Sequence, residues 1–264
     1  MTRLRGCVIG LPGLQWPPDI TVLVGVEGMV WVRPAAVTVV CAVAAAVVYA
    51  AMWLGHRQGW MWLHAVDSSS LHALHDVEVK HPWWVRFWDV VCTVFGPPVF
   101  RLLGAVAVAA VLVKRKLRVA LFLLVSVQFS ELVTWAAKGL AQRPRPATAL
   151  VPASSSSFPS GHALAATVGV LALLTVLFPL LSQRTRVVAA AVGALIVVAV
   201  GFGRVALNVH HPSDVVAGWA LGYLYFQVCV WLFGISGRDR PRRRQVCGRG
   251  PESAGSRPVC PPPA

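Results

Sequence analysis

The chain has 264 residues, 56% of them apolar and only 13% charged, with a mean hydropathy of +0.66. This is too apolar for a water-soluble globular domain and fits a chain that crosses a bilayer several times. The formal charge of +14 resides in short turns and a tail, with no basic helix or aromatic-basic module, which argues against nucleic acid and makes anionic lipid at the cytoplasmic face the expected partner.

In chain order, residues 1–34 carry Arg3, Arg5 and Arg33 among scattered prolines. They lack the apolar stretch and small-residue cleavage site of a signal peptide, and a poorly ordered leader is expected. Ala35 to Leu54 is the first span, about 20 apolar residues for a core ~30 Å thick. Residues 55–87 mix Trp60, Trp62, Trp83 and Trp84 with five histidines, the composition of a helix lying in the headgroup layer with its histidines at the surface. The second span, 88–113, is interrupted by Gly96-Pro97-Pro98, which predicts a kink or break. The third covers 119–137, the fourth 163–181, the fifth 187–202 and the sixth 215–234. The Arg- and Pro-rich tail, 235–264, is expected to be disordered. Six cysteines show no C-x-x-C pair or regular spacing, so neither a disulfide framework nor a zinc site is expected.

Six spans in one all-α bundle put both termini on the same side. Sixteen of the 24 Lys/Arg fall on that side and seven on the other, so the termini are expected to be cytoplasmic in a multi-pass protein of the cell membrane. By the same alternation, the end of the third span, the start of the fourth, the end of the fifth and the start of the sixth all lie on the outer face.

Those four ends hold the polar residues: Lys138 and Arg145, then Ser160, Gly161 and His162, then Arg204, His210 and Asp214. Charge at a membrane helix end needs a reason to be there. A phosphate group supplies one. Arg145 and Arg204 offer planar forks to its oxygens and Lys138 a point charge. Ser160 and Gly161 precede a helix, whose free N–H groups and dipole favour an anion. His210 and Asp214 are four apart. A carboxylate that accepts from one imidazole nitrogen leaves the other free to attack phosphorus, and His162 is the candidate general acid for the leaving oxygen. Singly, each feature also reads as ordinary helix-end chemistry, and the argument lies in their combination.

Lys138-x6-Arg145-Pro146, Pro159-Ser160-Gly161-His162 and Arg204-x5-His210-x3-Asp214 resemble the three-part signature of the type 2 phosphatidic acid phosphatase (PAP2) family, lipid phosphate phosphatases related in their site to vanadium haloperoxidases. The resemblance covers about residues 35–234. It implies a six-helix membrane fold and metal-independent hydrolysis, without a cofactor, through a phosphohistidine on His210. His162 would be the proton donor and Asp214 would orient His210, with phosphate held by Lys138, Arg145, Ser160, Gly161 and Arg204. In one departure, Gly203 stands where the family usually has serine; altered affinity or substrate range is expected, without loss of the reaction.

Of the other polar residues, Glu131 is expected to pair with a pocket cation or with Arg101, which itself faces the bundle interior or snorkels. Arg143 would help admit phosphate, His211 would be an interface neighbour in preference to a second nucleophile, and Asn208 would turn the loop. The expected activity is release of phosphate from a lipid phosphate or prenyl diphosphate at the outer surface. A lipid phosphotransferase using the same phosphohistidine is the alternative within enzymes, and an anion or lipid transporter is the alternative outside them.

Overall fold

A computed structural model describes residues 35–152 and 155–235. The expected leader, and the expected tail beyond Ile235, lie outside the described residues. The chain divides into two units at the boundary between Val39 and Val40. The described part of the first is the opening of helix α1; the second carries the rest of the protein.

The described residues fold into helices and turns, with no strand among them. The elements are α1 (Ala35–Gln58), α2 (Met61–Lys80), α3 (Pro82–Val94), α4 (Pro97–Val113), α5 (Leu117–Leu123), a π-helical stretch (Leu124–Gln128), α6 (Ser130–Ala141), α7 (Gly161–Leu177), α8 (Gln183–Ala206) and α9 (Pro212–Leu232). Among the described residues six segments are long and apolar enough to cross a membrane, with α3–α4 and α5–α6 each forming one of them. The protein is a multi-pass membrane protein of the all-α class.

Prolines set several boundaries. Pro82 and Pro212 each occupy the first position of a helix, where a missing N–H costs nothing. The expected break falls at Phe95 and Gly96, and α4 restarts on Pro97-Pro98. Because α3 starts at Pro82, the second span is six residues longer than its hydropathy suggested. The helix expected across residues 55–87 is correspondingly shorter. It is α2, which is absent from the membrane-length apolar set. His56 belongs to α1 and stacks on Phe158 instead of lying at the surface.

The third span is not one regular helix. Its π-helical stretch frees backbone carbonyls that side chains then satisfy: Tyr225 Oη donates to Val125 O at 2.6 Å and Ser126 Oγ to Phe122 O at 2.7 Å. Arg101 pairs with Glu131, the second of the two partners expected for that carboxylate. At the opposite end of the bundle from Lys138, Arg118 donates to Phe233 O and, at 2.9 Å, to Gly234 O. It thereby satisfies carbonyls at the end of α9.

Helix α7 is the centre. Half of its span is buried, against none of α1, and it packs most extensively on α9, then on α8 and α4. Gly218 and Gly222 make the α7–α9 contact possible. A Cβ would lie 2.6 Å from Ser160 O at Gly218 and 2.9 Å from Leu164 O at Gly222. Small residues thus bring the two backbones together where no hydrophobic drive separates helix from lipid. The amide of Ser160 completes the join by donating to Asp214 O at 2.9 Å.

Candidate phosphate site

Lys138 is in the last turn of α6, Ser160 caps α7, Gly161 and His162 begin it, Arg204 is in the last turn of α8, and Asp214 is in the first turn of α9. Arg145 and His210 lie in the two connecting loops. The antiparallel alternation of spans therefore collects every expected site residue at one end of the bundle.

Lys138 Nζ donates to Ser155 Oγ at 3.0 Å and to Ser156 O at 2.5 Å. Arg145 donates from Nε to Ser155 O at 2.8 Å and from Nη2 to Ser155 Oγ at 3.3 Å. Ammonium and guanidinium therefore converge on one hydroxyl oxygen, the behaviour required of two groups that share an anion. Arg145 Nη1 donates to Val209 O at 2.7 Å and lies 3.3 Å from His210 Nε2. Burial lowers the Arg145 pKa and Arg204 adds to this, while Asp214 opposes it.

Arg204 is buried, and among the described residues its Nε has no hydrogen-bond partner. His162 is half-buried beside the α3–α4 break, its Nε2 3.6 Å from where a Gly96 Cβ would stand. It is within electrostatic reach of Arg204, His210, Lys138 and Arg145. At Gly161 a Cβ would sit 2.9 Å from Thr134 Cγ2 and 4.0 Å from Lys138 Cε, so glycine keeps the approach to the ammonium clear. Ser160 Oγ, for its part, accepts from Ala163 N at 3.5 Å as the N-cap of α7.

His210 is 1% exposed, and its amide donates to Arg204 O at 3.2 Å. Burial pushes its pKa down to about 4; Asp214 pulls upward, and Arg204 and Arg145 push further down. The ring is therefore neutral near pH 7, as a nucleophile must be. Its Nδ1 is 3.6 Å from Asp214 Oδ2, close but beyond hydrogen-bond length.

Asp214 is fully buried, and most of its partners were not foreseen. Its Oδ2 accepts from Ser157 Oγ and from His211 N at 2.8 Å, with His211 Nδ1 at 3.1 Å. Its Oδ1 accepts from Arg143 Nη1 at 2.6 Å. His211 is thus a capping neighbour at the start of α9. Asn208, at φ +53°, turns the loop as expected. The expectation that Arg143 helps admit phosphate is overturned. The side chain is 4% exposed and spans two carboxylates, Asp214 and Asp67, the latter at 2.8 Å from Nη2. A buried guanidinium held between two carboxylates is neutralised where it stands and is not free to swing out to a ligand.

Asp67 went unnoticed, although the sequence carries a signal for it. Leu63, Asp67 and Leu71 repeat every four residues on α2 and are all buried; a carboxylate on an apolar stripe implies a buried partner. Gly203 also finds its explanation in packing. A Cβ there would meet Cys92 Sγ at 2.7 Å and the Trp88 ring at 3.0 Å.

Fold and site together define a polytopic membrane protein with clustered cationic side chains and a neutral imidazole at one end of its helices. Residues 119–238 match the model of the PAP2 superfamily. Over 89 residues the chain is 44% identical to phosphatidylglycerophosphatase B of Bacillus subtilis (strain 168); the match covers 32% of this chain and 43% of that protein. The crystal structure of the first transmembrane PAP2 type phosphatidylglycerolphosphate phosphatase, from Bacillus subtilis, superposes with a TM-score of 0.64. The two share 25% identity over 77% of this chain and 98% of that one. Residues 119–238, a little under half of the chain, are thus similar to the PAP2 superfamily, and the chain spans less than half the length of the curated relative it matches.

Proposed function

We propose that the protein is a phosphatase that hydrolyses a lipid phosphate monoester of the phosphatidylglycerol phosphate kind. Lys138, Arg145 and Arg204 hold the phosphate oxygens, with Ser160 and Gly161 at the α7 N-terminus. His210 Nε2 attacks phosphorus while the bond to the lipid oxygen breaks, and His162 gives that oxygen a proton. Water then attacks the phosphohistidine, the N–P bond breaks, His162 takes up the water's proton, and free phosphate leaves. Asp214 balances the positive charge that grows on the His210 ring. No metal is needed in this sequence, because the three cations supply the charge that a metal would.

The observation that carries this reading is His210 Nε2 lying 3.3 Å from Arg145 Nη1, whose guanidinium also shares an oxygen with Lys138. The candidate nucleophile and two cations able to hold phosphate are therefore neighbours, which supports the reading. The names of the relatives favour a phosphatidylglycerol phosphate substrate over a prenyl diphosphate. The distribution of Lys/Arg favours a site on the outer surface with cytoplasmic termini.

The test is phosphate release by detergent-solubilised protein from phosphatidylglycerol phosphate, phosphatidic acid and a prenyl diphosphate, with His210→Ala as the blank. Preferred turnover of the monoesters, lost in the blank, is the expected result. Turnover that survives His210→Ala overturns the mechanism, and preference for the diphosphate overturns the substrate. Labelled phosphate appearing on an acceptor lipid in place of water would make the protein a phosphotransferase.

A further inference from the structure

Behind Asp214 runs a chain of buried charge that the reaction above does not use. Arg143 Nη1 donates to Asp214 Oδ1 and also, at 2.7 Å, to Ser213 Oγ, and its Nη2 donates to Asp67 Oδ2. Asp67 in turn accepts from Ser213 Oγ at 2.6 Å and, through Oδ1, from Ser213 N at 3.0 Å. A carboxylate from α2 thus completes the first turn of α9, a service usually rendered by a residue of the helix's own chain segment.

We propose that Arg143 and Asp67 are positioning residues that fix the rotation and the net charge of Asp214, and thereby latch α2 to the nucleophile. This rests on reading Asp214 and His210 as a catalytic pair. Two features distinguish such a role from a plain buried ion pair.

The first is geometric. Arg143 claims Oδ1 of Asp214, so only Oδ2 is presented to the histidines, and turning the carboxylate would break a charge-assisted bond. The second is electrostatic. An Arg143–Asp214 pair alone would be neutral and would cancel the charge that Asp214 offers His210. Adding Asp67 leaves the trio with one net negative charge at 0–4% exposure, where little water screens it. That charge favours the cationic character the imidazole gains as Nε2 bonds to phosphorus.

Helix α2 is well placed to carry the latch. On one face its Leu71 packs with Ala163, Val205 and Val215, from three of the four helices that carry the site. Elsewhere on α2, Met61 and Trp62 are exposed near its N-terminus, suited to the headgroup layer. Asp67 lies outside the segment matched by the family model, whereas Arg143 and Asp214 lie within it.

The experiment compares Asp67→Asn, which keeps the shape and removes the charge, with wild type, Asp214→Asn and the double variant. Asp67→Asn is expected to lower kcat by up to roughly a hundredfold, the cost of slightly misplacing a reacting group, with KM within about twofold because no phosphate contact is touched. In the Asp214→Asn background the same change should have no further effect. Histidine-ring NMR supplies a readout independent of turnover. With Arg145, Arg204, His162, His211 and Asp214 left in place, loss of the Asp67 charge should move the His210 titration to lower pH. The signal is assigned by its absence in His210→Gln.

A kcat loss of equal size in the Asp214→Asn background, or a change carried by KM alone, overturns the proposal, as does an unmoved His210 titration. If wild type releases no phosphate from any substrate, the phosphatase reading has failed, and the NMR comparison still decides the relay. Should Asp67→Asn fail to fold, Ser213→Ala takes its place. It removes the hydroxyl between Arg143 and Asp67 with little change in volume, and is expected to lower kcat by about three- to tenfold, a net neutral hydrogen bond's worth, at constant KM. Wild-type kcat in Ser213→Ala overturns the proposal.

Discussion

Replacing Gly203 by serine would put a Cβ 2.7 Å from Cys92 Sγ and 3.0 Å from the Trp88 ring. Non-bonded heavy atoms rest at about 3.5–4.0 Å, so roughly 0.5–1.3 Å of overlap must be absorbed between α8 and α3. Cys92 cannot simply swing aside, being 1% exposed with its Sγ donating to Val200 O at 3.8 Å. Overpacking of this kind costs about 1–3 kcal/mol, and removing a glycine from a helix interior returns roughly 0.5–1. A net loss of about 0.5–2 kcal/mol lowers Tm by roughly 1–8 °C for a chain of this size. Thermal unfolding in detergent reads the loss, and initial rates show whether the neighbouring Arg204 has moved. KM should rise while turnover persists, since every charged member of the site remains. Cys92→Ala makes room for the new atom, so the double variant should melt above Gly203→Ser, a non-additive pair. Wild-type melting of Gly203→Ser, or strict additivity in the double variant, would refute the packing argument.

Arg145→Lys keeps the charge but loses the fork. At about 1.5–3 kcal/mol for a charge-assisted hydrogen bond, kcat/KM should fall roughly ten- to a hundredfold in phosphate-release assays. The acid limb of kcat/KM due to His210 should have its midpoint near 4, against an ordinary value of 6.5, because kcat/KM reports the free enzyme; a pH–rate series corrected for substrate ionisation measures it. Stability follows with the same sign. The unfolded chain takes up this proton near 6.5 and the folded chain only near 4, so the contribution of neutral His210 is complete above 6.5 and is lost as pH falls between the two values. Chelator should leave turnover within about twofold of its starting rate, since in the proposed reaction the cations take the place of a Lewis acid; loss restored by added divalent metal would contradict the mechanism.

The spans, their alternation and the break at Gly96 were legible because hydropathy, helix length and proline are local signals. The convergence of Lys138, Arg145, His162, Arg204 and His210 was legible at one remove, since an even alternation of spans dictates which ends meet. Arg143 was misjudged because its partners are 71 and 76 residues away, and spacing in the sequence says nothing of a carboxylate on a different helix. Asp67 would have been found by asking what a charge does on the Leu63–Leu71 stripe. The π-helical stretch in the third span and the tight seat of Gly203 had no signal of their own, because both are set by side chains from other helices, Tyr225 in the one case and Cys92 and Trp88 in the other.

The contact of α7 with α9 at Gly218 and Gly222 also constrains traffic. Main chain against main chain leaves no slot for an acyl tail, so a lipid whose head reaches His210 from within the leaflet has to pass by some other helix pair. Bulk added at either glycine would wedge that seam apart and disturb the site from behind, without touching the path the tail follows.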